Sequence, residues 1–311
     1  MFKSRISVIT STLALASATL ACSATPDGTG QPVASTEEEI IGGAATNDPK
    51  YQAVGALYAE IPEFEIFDVF CSATLVGPQA IVTARHCTPT IQLFQELGGT
   101  VYMAFGPNGF SADQLVPITD FVTAPPAPQG RGLLGDGGRD IAVAHLAFPP
   151  VGIKPAKLGR YDGCDLGDEF QVVGYGFSED FLFGDKFAGK ATARAHSGRW
   201  YRLLFNHNKQ AFLDWYFTDA VTNPTPEEAE VWWDSFKLEP GYELLAGGLE
   251  GEAVACFGDS GGPLLKGTKA SNMTTYGVSF AVEGSFSTIC TGGGGYAVFN
   301  REMLSFVQSN L

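Results

Sequence analysis

Basic residues are scarce in this chain: 19 Lys and Arg stand against 34 Asp and Glu, for a net charge of −15. Nucleic acid needs a basic surface to replace its counterions, so it is excluded as a partner. Histidine is scarcer still, with four in 311 residues, at positions 86, 145, 196 and 207. No two have metal-ligand spacing and the cysteines are scattered, so the sequence calls for no metal and no other cofactor. Long apolar runs are missing after the first two dozen residues, which excludes a multi-pass membrane protein. Helical periodicity is also thin. It is clear only at the end, in "REMLSFVQSNL", where Met303, Leu304 and Val307 share a face.

What is present is a glycine-rich series of short apolar runs. "AVGALYA", "ATLVGPQAIVTA", "TVYMAF", "DIAVAHLAF", "EFQVVGYG", "TTYGVSFAV" and "GYAVF" are separated by Gly, Pro, Asn and Asp. This spacing predicts an all-β barrel or sandwich. His145 fits the alternation of its run and reads as structural; His196 and His207 read as surface residues. Residues 196–240 break the pattern, being aromatic-rich and locally acidic. Thr225 followed by Glu228 predicts a short helix start there.

The N-terminus, "MFKSRISVITSTLALASATLAC", has Lys3 and Arg5, then an apolar run, then small residues. That is an export signal, expected to span residues 1–21. "TLAC" resembles a bacterial lipobox, which makes Cys22 a candidate for lipidation and membrane attachment; ordinary signal cleavage a few residues later is the alternative. Both place the mature protein outside a bacterial cytoplasm, lipid-anchored at the envelope or secreted. Residues 22–39, ending "TEEE", have no hydrophobic period and read as a tether or propeptide. Exported cysteines can pair.

The stretch "ACFGDSGGP", residues 255–263, sets Ser260 among glycines. A serine hydroxyl attacks a carbonyl only when a base takes its proton and N–H donors meet the oxyanion. Flanking glycines let the backbone turn those donors inward. The pattern also satisfies the G-x-S-x-G elbow of α/β-hydrolases, but that fold needs a histidine after the serine, and none follows Ser260.

Three further stretches decide the alternative. "CSATLVGPQAIVTARHC" (71–87), "RDIAVAHL" (139–146) and "EIIGGA" (39–44) precede "CFGDSGGP" in the chain. Together they closely resemble the histidine, aspartate, activation and serine motifs of the chymotrypsin-like (trypsin-like) serine peptidases, in the family's order, over residues 40–311. The resemblance implies two six-stranded antiparallel β-barrels, at about 40–160 and 161–300, with a short C-terminal helix and an elaborated segment around 177–250. It implies Ser260 as nucleophile, His86 as base, Asp140 as the carboxylate orienting His86, and the N–H groups of Gly258 and Ser260 as the oxyanion hole.

By the same resemblance an activating protease cuts after Glu39, and the new ammonium of Ile40 pairs with Asp259. Glu39 stands where the trypsinogen type has Lys or Arg, so that activator is not expected to be trypsin-like. Cys71 with Cys87 and Cys256 with Cys290 match family disulfides, leaving Cys164 as a free thiol or as the partner of an unlipidated Cys22. Val254 takes the floor of the specificity pocket, with Ala281 and Gly294 on its walls; without a carboxylate there, the preference is for an uncharged side chain. Arg85, directly before His86, departs from the family's small residue. The expected substrate is a protein or peptide, cleaved as an endopeptidase cleaves it. The competing reading is a peptidase-like binding or regulatory module without catalysis.

Overall fold

The computed structural model describes residues 40–127, 139–178, 183–220, 224–281, 290 and 292–311. The expected export signal, the expected 22–39 tether, Glu39 and Cys22 lie outside them. A short strand β1 (Ala44–Ala45) leads into six strands: β2 (Val54–Ile61), β3 (Ile66–Leu75), β4 (Ala80–Thr83), β5 (Thr100–Phe105), β6 (Gln114–Thr123) and β7 (Ala142–Leu146). They close into a barrel in the order β2-β3-β4-β7-β6-β5. A helix α1 (Thr88–Glu96) follows β4.

The second half contributes β8 (Lys157–Leu158), β9 (Glu169–Gly174), β10 (Phe187–Ala195), β11 (Gly198–Arg199), β12 (Lys237–Leu238), β13 (Glu243–Ala246), β14 (Pro263–Lys266), β15 (Thr274–Ala281) and β16 (Gly294–Val298). Six of these run β10-β13-β16-β15-β14-β9, and the β9–β10 pairing closes the ring. The strand pairings inside both barrels are antiparallel; β8 alone runs parallel, beside β15. The expected pair of six-stranded antiparallel barrels is the architecture observed. The C-terminal helix is α5 (Arg301–Ser309), capped by the Asn300 side chain accepting the Met303 N–H at 2.9 Å.

Each barrel fills with the inward side chains of its alternating strands. Leu57, Ala73, Ile81, Val101, Met103 and Ala144 make the first core. Phe170, Phe187, Leu244, Leu264, Tyr296 and Val298 make the second. A third core is built by residues 196–240, inside the elaborated segment expected around 177–250. They fold into α2 (Trp200–Leu204), α3 (Lys209–Trp215) and α4 (Pro226–Ser235). Thr225 caps α4 by accepting the Glu228 N–H at 3.2 Å, the helix start predicted from sequence. Trp200, Tyr201, Phe212, Tyr216 and Trp233 pack together and onto Ile141 and Val143 of the first barrel, Val278 and Phe299 of the second, and Met303 and Val307 of α5. His207 is exposed as expected, whereas His196 is half-buried.

Candidate active site

β4 and β7 are neighbours with Thr83 opposite Ala142. The chain leaves β4 at Thr83 and enters β7 at Ala142, so His86 and Asp140 arise at the same rim of the first barrel. His86 sits in a 3-10 turn, Arg85–Cys87, that runs straight into α1. The Cys71–Cys87 disulfide ties that turn back to β3. Arg85 is half-buried beside it.

Asp140 is buried and spends both carboxylate oxygens on His86. Oδ1 accepts the His86 backbone N–H at 2.8 Å, and Oδ2 lies 2.6 Å from the ring Nδ1. The first contact fixes where the ring starts; the second fixes how it is turned. A neutral imidazole donating through Nδ1 keeps its lone pair on Nε2, on a ring that is 41% exposed. The arrangement holds an imidazole whose Nε2 makes no hydrogen bond among the described residues.

Ser260 comes from the second barrel, in a turn whose flanking glycines adopt conformations that other residues avoid: φ is +97° at Gly258 and +83° at Gly261. A Cβ on Gly261 would stand 2.1 Å from Thr83 Oγ1 and 2.8 Å from the Ala84 nitrogen. The serine turn therefore rests directly on the strand end that carries His86. The Ser260 carbonyl accepts the Ser72 N–H at 2.8 Å and lies 3.7 Å from Cys87 Sγ. Among the described residues no hydrogen bond joins Ser260 Oγ to His86, and the Gly258 and Ser260 N–H groups donate to no protein acceptor. Catalytic hydrogen bonds are often long before substrate arrives.

The sequence reading missed Ser72. This fully buried serine joins the barrels: its Oγ donates to the Gly258 carbonyl at 3.0 Å and accepts the Tyr175 N–H at 3.0 Å. Its own carbonyl accepts the Thr83 hydroxyl at 2.8 Å. Its one sequence signal is adjacency to Cys71.

Asp259 points inward, away from its neighbour Ser260. It is 1% exposed, and its oxygens accept the N–H groups of Gly176 and Cys256, each at 2.8 Å. Burial pushes its carboxyl up to about 6, against the downward pull of those two N–H groups. Ile40, 1% exposed, lines the same small internal pocket, beside Ala255, Ser279 and Tyr296. Its φ of +41° is strained for a β-branched residue.

Val254 is buried, and its N–H donates to the Ile41 carbonyl at 2.8 Å. Gly294 opens β16, where an added Cβ would lie 3.3 Å from the Tyr296 ring and 3.5 Å from Ala255 Cβ. Ala281 ends β15 opposite Gly295; its side chain lies outside the described residues. The Cys256–Cys290 disulfide closes this face. Cys164 is disulfide-bonded, so the free-thiol alternative falls. The two described bridges use four other cysteines, and Cys22 is the one that remains in the sequence. Cys71, His86 and Cys87 cluster closely enough to suggest metal ligands, but both sulfurs are spent in the disulfide.

The trypsin family model matches residues 40–185, which include His86 and Asp140 but end before Ser260. Residues 40–185 match the trypsin family of serine peptidases, and the double barrel agrees with that family's fold. No curated protein sequence matches it. The helical unit at 200–235 is inserted between β10 and β13 of the second barrel.

Proposed function

We propose that this protein is an exported serine endopeptidase that uses Ser260 as nucleophile. One observation carries the reading most: Asp140 grips both the backbone and the ring of His86, while the Ser260 turn packs on the same strand end. In the proposed reaction Ser260 Oγ attacks the substrate carbonyl carbon as its proton passes to His86 Nε2. Asp140 stabilises the resulting imidazolium, and the oxyanion is met by the Gly258 and Ser260 N–H groups. His86 returns the proton to the leaving amine, and water then releases the acyl group by the same steps. A fluorophosphonate probe should label the native protein and not Ser260→Ala. Ser260→Ala should also lower kcat by at least about 10⁴-fold. Labelling that survives the substitution refutes Ser260 as the nucleophile, and a native protein that stays unlabelled and inert after processing favours the binding module instead.

The activation step is part of the proposal. Ile40 already lies in the pocket of Asp259, so a cut after Glu39 would release an ammonium beside a buried carboxylate that has no cation among the described residues. Breaking that bond would also relieve the constraint on the Ile40 backbone. N-terminal sequencing of active protein should begin at Ile40. Val254, with Gly294 on the pocket wall, supports an uncharged side chain at the cleavage site; a peptide-library profile in which Lys or Arg dominates would refute it.

Export rests on the N-terminal signal. The bonded state of Cys164 favours a Cys22–Cys164 tether over lipid on Cys22, because a thioether sulfur cannot also form a disulfide. Intact mass separates the two: a diacylglyceryl adduct supports lipidation, and a Cys22–Cys164 cross-linked peptide supports the tether.

A further inference from the structure

Lys186, just ahead of β10, is 6% exposed and is one of the residues lining a cleft of about 490 Å³. The cleft is walled by the 46–49 loop, the 105–114 connection and residues 151–153. Its geometry is braced. The Lys186 N–H donates to the Pro107 carbonyl at 2.7 Å, and the Lys186 carbonyl accepts the Thr46 N–H at 2.9 Å. Gln114 spends its amide on the Val151 carbonyl and N–H, at 2.9 and 2.8 Å.

The ammonium itself is poorly provided for. Of its three donors, one makes a long hydrogen bond to the Tyr51 carbonyl at 3.5 Å, and the Tyr175 ring centroid is 5.4 Å away. Burial pushes Lys186 down to about 8, with only the through-space field of Asp113 opposing. Asp113 stands exposed at the cleft and makes no hydrogen bond or ion pair among the described residues. Asp48, also in the wall, is engaged by the Lys50 amide at 2.9 Å and the Lys50 ammonium at 3.3 Å.

A buried cation in the lining and an uncommitted carboxylate nearer solvent select by charge at two points. A simple anion on Lys186 shares the cleft with the carboxylates of Asp48 and Asp113. A simple cation meets Lys186. An apolar guest would leave the ammonium with only its long bond to the Tyr51 carbonyl. We propose that this cleft binds a small zwitterion, a free amino acid or a short peptide, with its carboxylate on Lys186 and its ammonium at Asp113. The volume is in the range of small-ligand pockets. The site is separate from His86 and Ser260, and the inference stands whether or not the chain cleaves peptides.

The test uses the full chain carrying Ser260→Ala, so that no probe is consumed, with L-alanine and L-alanyl-L-alanine as probes and acetate and ethylamine as single-charge controls. At several-fold its Kd, a zwitterion should raise Tm by about 2–4 °C, saturably, with matching heat in calorimetry. Acetate and ethylamine should do neither. Whichever zwitterion binds more tightly identifies the source, amino acid or peptide. Lys186→Met should abolish binding; it removes a buried charge while keeping the aliphatic stem, so it should fold. Asp113→Asn, on the surface, should weaken binding about tenfold or more. Absence of a Tm shift and of heat with both zwitterions at millimolar concentration overturns the proposal, as does undiminished binding by Lys186→Met or Asp113→Asn.

Discussion

His145 makes the stability of this fold depend on pH in a way that can be worked out from its two contacts. The ring Nδ1 lies 2.5 Å from Asp120 Oδ1 on β6, and Nε2 lies 2.9 Å from the carbonyl of Asn310, where α5 ends. Both partners are acceptors, so both ring nitrogens must carry protons, and only imidazolium satisfies them together. The Asp120 hydrogen bond raises its pKa above the ordinary 6.5, burial opposes, and the Asn310 carbonyl adds to the rise. The negative end of the α5 dipole acts in the same direction. A group whose pKa is higher in the folded state contributes fully below its unfolded value, and that contribution is lost as pH rises through the folded value. The His145 and Asp120 side chains are 31% and 63% exposed, so solvent screens the pair and its worth is about 1 kcal/mol. In a domain of this size that is about 2–4 °C in Tm. Thermal melts of the native chain and of His145→Gln should differ by that amount at pH 6, and the difference should shrink toward zero at pH 9. Groups common to both proteins cancel. A difference that stays constant across this range refutes the two-acceptor argument.

Other perturbations test other layers of the structure. Trp200 is fully buried where the helical insertion meets both barrels, and Trp200→Ala should cost about 3–5 kcal/mol in urea unfolding, against near zero for a solvated insertion. Cys256 and Cys290 close a span of 34 residues, so replacing both with Ser should cost about 3–4 kcal/mol by chain entropy, read in the same assay. Asp259, pushed up to about 6 by burial, favours the folded state most below its unfolded value of 3.8 and loses that contribution as pH rises to 6 and beyond. The uncut chain should therefore lose Tm between pH 4 and pH 7 more steeply than Asp259→Asn; parallel curves would contradict the buried, unpaired carboxylate.

The parts of the site that were legible in the sequence are those written in contiguous residues. A strand ending in "TARHC", a strand beginning "RDIAV" and a serine between Gly258 and Gly261 each carry local backbone requirements that survive without tertiary context. The two disulfides near the site were legible through the same motifs, and α5 through its clean apolar stripe. Ser72 was not legible, because its role exists only once the barrels dock and its hydroxyl meets the Gly258 carbonyl. Helix α1 was hidden by brevity and by Pro89, which suits a helix start but reads in isolation as a break. Helices α2 and α3 span five and seven residues, too short to display a period. Their aromatics mark a core that no single helix of the three could bury alone.

That insertion is part of the frame around Asp140 rather than an addition to a finished fold. Arg139 is 8% exposed, held 3.5 Å from Glu239 at the insertion's exit and 3.5 Å from Glu302 of α5, with its guanidinium 4.1 Å from the Tyr242 ring centroid. On the other side of Asp140, Ile141 is buried in the aromatic cluster of Trp200, Phe212 and Trp233. The carboxylate that orients His86 is thus fixed from both flanks by groups from the second half of the chain. An ion pair of this kind contributes little net stability once desolvation is counted. Its consequence is geometric: the direction of Asp140 is set only after the insertion, α5 and the first barrel have packed together. Formation of the His86–Asp140 pair therefore reports assembly of the whole molecule, and a first barrel folding alone would lack the contacts that aim it.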